Sequence, residues 1–88
     1  MIKLDNDHSF AVELSGKKAR LIVYKGGVEN VCRKESLKNI KEFIQSGGNH
    51  LFKGRLQLQK NTKGTGVIVK GEMIGMINDD DLLAVINL

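Results

Sequence analysis

Two stretches of this chain, 45 residues apart, carry the same order of apolar and turn residues, and 88 residues leave room for only two such units. Leu21-Ile22-Val23-Tyr24-Lys25-Gly26 lies against Gly66-Val67-Ile68-Val69-Lys70-Gly71. Apolar positions then coincide at Ile22/Val67, Val23/Ile68, Tyr24/Val69, Val28/Met73, Val31/Met76, Cys32/Ile77, Leu37/Leu82, Ile40/Val85 and Phe43/Leu88. A one-residue slip also brings Val12-Glu13-Leu14 onto Leu56-Gln57-Leu58. Only Lys25/Lys70, Gly26/Gly71 and Leu37/Leu82 are identical, so the alignment supports a shared plan better than a shared ancestor. The expected fold is α+β: a duplicated strand-strand-strand-helix plan, forming a curved antiparallel sheet with two helices packed on one face. We expect a single compact domain over residues 1–88, with pseudo-repeat halves 1–47 and 48–88 meeting at Gly47-Gly48.

A core of this size needs support. So short a chain buries only about 60–65% of the surface its unfolded form exposes. Cys32 is the only cysteine, which excludes an internal disulfide, and no Cys/His cluster offers a structural metal, because His8 and His50 stand far apart in sequence. The remaining common supplement is self-association, so a homodimer is expected. With 41% hydrophobic and 27% charged residues the composition is that of an ordinary soluble domain. No charged-then-apolar leader and no run of membrane-spanning length is present, so the expected setting is cytoplasmic and away from membranes. Between Val31 and Arg33 in a strand-like stretch, Cys32 reads as a small buried hydrophobe.

Along the chain, Met1 to Asp5 reads as a short edge strand, and Phe10, Val12 and Leu14 alternate as in a half-buried strand. Ser15-Gly16-Lys17-Lys18 is a turn, Leu21 to Tyr24 a central strand apolar on both faces, and Gly26-Gly27 a tight reversal into Val28 to Arg33. A helix is predicted from Ser36 to about Ser46, capped by Ser36, with Leu37, Ile40, Phe43 and Ile44 as its apolar stripe. In the second half Phe52, Leu56 and Leu58 point one way and Lys53, Arg55, Gln57 and Gln59 the other. Asn61-Thr62-Lys63-Gly64 turns, Val67 to Val69 returns, and Met73 to Ile77 follows the Gly71-Glu72 reversal. Asn78 or Asp79 caps a last short helix bearing Leu82, Leu83, Val85 and Ile86. The order is β-β-β-β-α-β-β-β-α.

No nucleophile-plus-base spacing, phosphate loop or zinc pattern is present, so the chain reads as non-enzymatic, with no cofactor or metal. Asp79-Asp80-Asp81 suits the positive end of a helix better than a cation site. Net charge is +4, and its distribution is uneven: five basic residues and no acid run from Leu51 to Gly71, and four basic residues and no acid from Leu14 to Val28. The candidate site is therefore a nucleic-acid-binding sheet face of Lys53, Arg55, Gln57 and Gln59, with the turn lysines Lys60, Lys63, Lys17 and Lys18. Lysine and arginine can neutralise phosphates, and glutamine can pair with base edges. Exposed aromatics are scarce, because Phe10, Phe43 and Phe52 belong to the core pattern.

In element order the chain resembles the duplicated sheet-then-helix modules of the Whirly and purine-rich-element-binding families. That resemblance implies single-stranded nucleic-acid binding on a curved sheet. Leu58-Gln59-Lys60-Asn61-Thr62-Lys63-Gly64 is similar to the Lys/Asn/Gly turn of the purine-rich-element-binding repeats, though Thr65-Gly66 stands where their aromatic follows. The competing expectation is a small protein-protein interaction module, an inhibitor or accessory factor acting on a larger protein. The strands Met1 to Asp5 or Met73 to Ile77 would then accept a partner strand, while Met73 and Met76 are expected in the core. A small-ligand pocket between sheet and helices is a third option.

Overall fold

A computed structural model describes residues 1–45, 50–52 and 54–86. It is α+β, with ten elements in the order β-β-β-β-α-β-β-β-β-α. The first four are β1 (Ile2–Lys3), β2 (His8–Ser15), β3 (Lys18–Lys25) and β4 (Val28–Ser36), followed by α1 (Leu37–Gln45). The second half runs β5 (His50–Leu51), β6 (Leu56–Asn61), β7 (Gly64–Val69), β8 (Glu72–Ile77) and α2 (Asp79–Ile86). The duplicated plan is present and includes a strand the sequence did not announce. Two residues long, β5 is too short to show a period. The junction Gly47-Gly48 and the expected helix end at Ser46 lie outside the described residues.

One continuous sheet was expected, and two form instead. Each is antiparallel and four-stranded, in the orders β1-β2-β3-β4 and β5-β6-β7-β8. Their apolar faces and both helices share one buried cluster that includes Phe10, Leu21, Val23, Ile40, Phe43, Leu58, Val67, Leu82 and Ile86. The helices tie the halves together: α2 contacts β2 of the first sheet, and α1 contacts β5 as well as β4. The Asp5 amide donates to the Ile74 carbonyl at 2.9 Å, so β8 is already engaged by the β1–β2 turn. A side chain on Gly75 would collide with Leu4 (Cβ to Cβ 2.9 Å), so only glycine lets the two halves approach this closely.

The repeat is real, but its register differs from the 45-residue offset. At the first turn Ser15 matches Asn61 and Lys18 matches Gly64, an offset of 46. At the second, Gly27 matches Gly71, and the turn pairs Gly26-Gly27 (φ 58°, 80°) and Lys70-Gly71 (φ 52°, 82°) are alike, an offset of 44. At the helix caps Ser36 matches Asn78, an offset of 42. Every step is even, because side chains alternate between faces and an odd shift would turn the core face outward. The odd offset paired inward Val23 with outward Ile68 and was wrong at that level of detail. The ladders even share an irregularity, at Val23/Tyr24 in one half and Val67/Ile68 in the other.

Both helix starts are satisfied within the chain. The Asn39 amide donates to Ser36 Oγ at 3.2 Å, the Leu37 amide to the Lys17 carbonyl at 2.9 Å, and the Asp81 amide to Asn78 Oδ1 at 2.8 Å. Ile22, on the outer face of the first sheet, is fully buried yet does not belong to the main core cluster. Arg20 spans β3 diagonally, pairing Glu13 at 2.8 Å and Glu29 at 2.5 Å, and so lies across Ile22. These two carboxylates raise the Arg20 pKa further. Cys32 is exposed rather than buried: it pairs with Ile22 in register, and therefore stands on the outer face at the sheet edge. No helix among the described residues is long and apolar enough to cross a membrane.

Candidate functional site

Only part of the expected basic row lies within a strand among the described residues. β6 begins only at Leu56, so Arg55 lies in the bend before it, and Lys53 lies outside the described residues. Gln57 and Gln59 do stand on the outer face of the second sheet, about 7 Å apart. Lys60 is turned to the opposite side and its ammonium donates to the Ile44 carbonyl at the end of α1. That role is structural, since a cation suits the negative end of a helix. Lys63 is exposed in the β6–β7 turn, where its amide donates to Asn61 Oδ1 at 2.9 Å. Lys17 and Lys18 are exposed on the other sheet's hairpin, next to the start of α1, and do not join the glutamines.

What surrounds Gln57 and Gln59 was not anticipated. Register puts His50 opposite Gln59, Ile68 between Gln57 and Met73, and Gly66 between Gln59 and Met76. Met73 and Met76 are 48% and 41% exposed, where the sequence reading had them in the core. The reason is the irregularity in the β7–β8 ladder. An extra residue there sends Ile74 inward and leaves Met73 and Met76 on the outer face. Gly75, inside the strand, is the one local signal of such a bulge, and alternation alone passes over it.

Side chains on this face are partly locked. Gln57 donates from Nε2 to the Gly54 carbonyl at 2.9 Å, and its Oε1 lies 2.8 Å from His50 Nε2. Asn61 Nδ2 donates to Met76 Sδ at 3.3 Å. Gln59 has no side-chain hydrogen bond among the described residues. Among the described residues the face itself bears no carboxylate, unlike the first sheet's outer face with Glu13 and Glu29. Cations flank it at both ends. Lys63 sits in one turn, and Lys70 in the other beside Arg55, whose carbonyl accepts the Lys70 amide at 2.7 Å. Seven strand residues put the two ends about 23 Å apart. In the sequence Lys70 stood out as a repeat position matched to Lys25 and as one of five basic residues, not as a site residue.

Elsewhere the surface is less organised. A hollow of about 560 Å³ beside α1 is open to solvent and lined by Lys17, Leu37, Lys38 and Lys41 among others. Among the described residues no three histidine, cysteine, aspartate or glutamate side chains come together as metal ligands. No family model, no curated protein and no solved structure matches the chain.

Proposed function

We propose that this protein is a non-enzymatic binding module that takes single-stranded nucleic acid across the outer face of its second sheet. One observation carries the reading: among the described residues the strip is lined by amides and thioethers and bears no charge, with Lys63 beyond one end and Lys70 beyond the other, although Asp79, Asp80 and Asp81 in the first turn of α2 and Glu72 stand near those same ends. Bases are neutral and flat, and phosphates are anionic, so a single strand fits such a strip with its backbone held at the rim. Lys70 adds weight. It occupies a positive-φ position where the other half has glycine, and retained strain of this kind is often found at functional sites. Of the residues expected from sequence, this reading keeps Arg55, Gln57, Gln59 and Lys63 and leaves out Lys60, Lys17 and Lys18; Lys53 lies outside the described residues.

The test is fluorescence anisotropy with a labelled single-stranded oligonucleotide over a range of salt. Lys63→Ala/Lys70→Ala should weaken binding and lower the logarithmic salt slope by about 1.4, at roughly 0.7 per single-strand phosphate contact. Lys60→Met removes a charge from the same strand and should leave that slope unchanged. Equal losses in both would mean that net charge alone attracts the strand. No binding by the parent at low salt would favour the protein-partner reading, for which the exposed Met73 and Met76 are the adaptable surface.

A further inference from the structure

We infer that Gly66 marks a subsite for one nucleobase, with the Gln59 amide at its edge; this rests on the strand-binding reading above. Gly66 brings no side chain to the outer face, and its neighbours in register are Gln59 on β6 and Met76 on β8. A Cβ built on Gly66 would stand 2.5 Å from Met73 Cε and 2.7 Å from its Sδ. Met73 is thus folded over bare backbone while remaining half-exposed. Its unbranched thioether can swing aside and rest on whatever takes its place. Across the gap Met76 is held by Asn61 Nδ2.

The hydrogen-bonding capacity around this gap is distributed unevenly. Gln57 uses its amide nitrogen on Gly54 and its oxygen on His50. Gln59 keeps donor and acceptor open beside the position that lacks a side chain. A base has two apolar faces and an edge of adjacent donors and acceptors, which is the chemistry these groups complement. Among the described residues the position over Gly66 is bordered by uncharged side chains, and Lys63 and Lys70, in the turns beyond it, are the cations that would meet the flanking phosphates, against the nearby acids Asp79, Asp80, Asp81 and Glu72.

The experiment compares a labelled thymidine oligonucleotide with an abasic oligonucleotide of the same length, hence the same phosphates, at low salt. The parent should bind the base-bearing strand about tenfold more tightly, the effect of one or two net hydrogen bonds with apolar contact. Gly66→Val should remove that preference and leave affinity for the abasic strand unchanged. The added Cβ requires Met73 to move, and it is the flexible end of that side chain, not backbone, that it meets first; Gly66 has no positive φ to forbid a side chain. Gln59→Ala, an exposed change that leaves the backbone alone, should reduce the same preference and stands in for Gly66→Val if that variant does not fold. Equal binding of the two strands by the parent would overturn the subsite and leave strand binding intact. Preference surviving in the variants would also overturn it. Binding of neither strand would remove both proposals.

Discussion

Lys70 at φ 52° stands where the first half has Gly26 at φ 58°. A side chain in this left-handed region costs about 1–2 kcal/mol, and glycine there loses about 0.5–1 kcal/mol to its greater unfolded freedom. Lys70→Gly should therefore raise stability by up to about 1 kcal/mol, read from the denaturant midpoint at constant slope. If Lys70 meets phosphate, the same variant binds single strands more weakly. Greater stability with unchanged binding would detach Lys70 from the site. At this scale the sequence was a fair guide to burial but not to role. Phe10, Phe43 and Phe52 are buried as the pattern required. Lys60 looked like one more surface cation, because nothing in its neighbourhood along the chain points to the end of α1, sixteen residues away.

Among elements, α1 was the most legible, since its stripe and its cap are both local. Its buried residues are Ile40, Phe43 and Ile44, and it begins at Leu37, directly after the expected cap Ser36. Phe43→Ala should cost about 3–5 kcal/mol, measured as a fall in denaturant midpoint, because it empties a site shared by both sheets and both helices. The entry to this helix is also pH-sensitive. Glu35 Oε1 accepts from Asn39 Nδ2 and from the Ser36 amide, both at 2.9 Å, and these bonds hold its pKa below the ordinary 4.5. A lowered folded pKa means that the contribution is complete above pH 4.5 and is lost as pH falls through the folded value. Glu35→Gln should flatten that part of the acid limb of stability, and an unchanged limb would assign the dependence to other carboxylates. The strands were less legible. Their alternation revealed faces, but β5 was too short to register, and the bulge in β7–β8 moved Met73 and Met76 from the expected core to the surface.

For the whole molecule, self-association remains the expected supplement to so small a core. Sedimentation at micromolar concentration should give the mass of two chains, and a single-chain mass with cooperative unfolding would overturn the expectation. The edge strand of the first sheet, β4, bears Glu29, Arg33, Lys34 and Glu35, charges of the kind that discourage unspecific pairing at sheet edges. The amino-acid order by itself determined the α+β class, the doubled plan, the helix α1 with its cap, and most of the buried set. All of these follow from periodicity and turn chemistry within a few residues. Only the tertiary structure decided that two sheets form rather than one, that the repeat runs on even offsets, and that glutamines and methionines share a face while Lys60 leaves it. Those outcomes depend on pairing register and on contacts between the halves, which arise from packing residues far apart in the chain and leave little local mark.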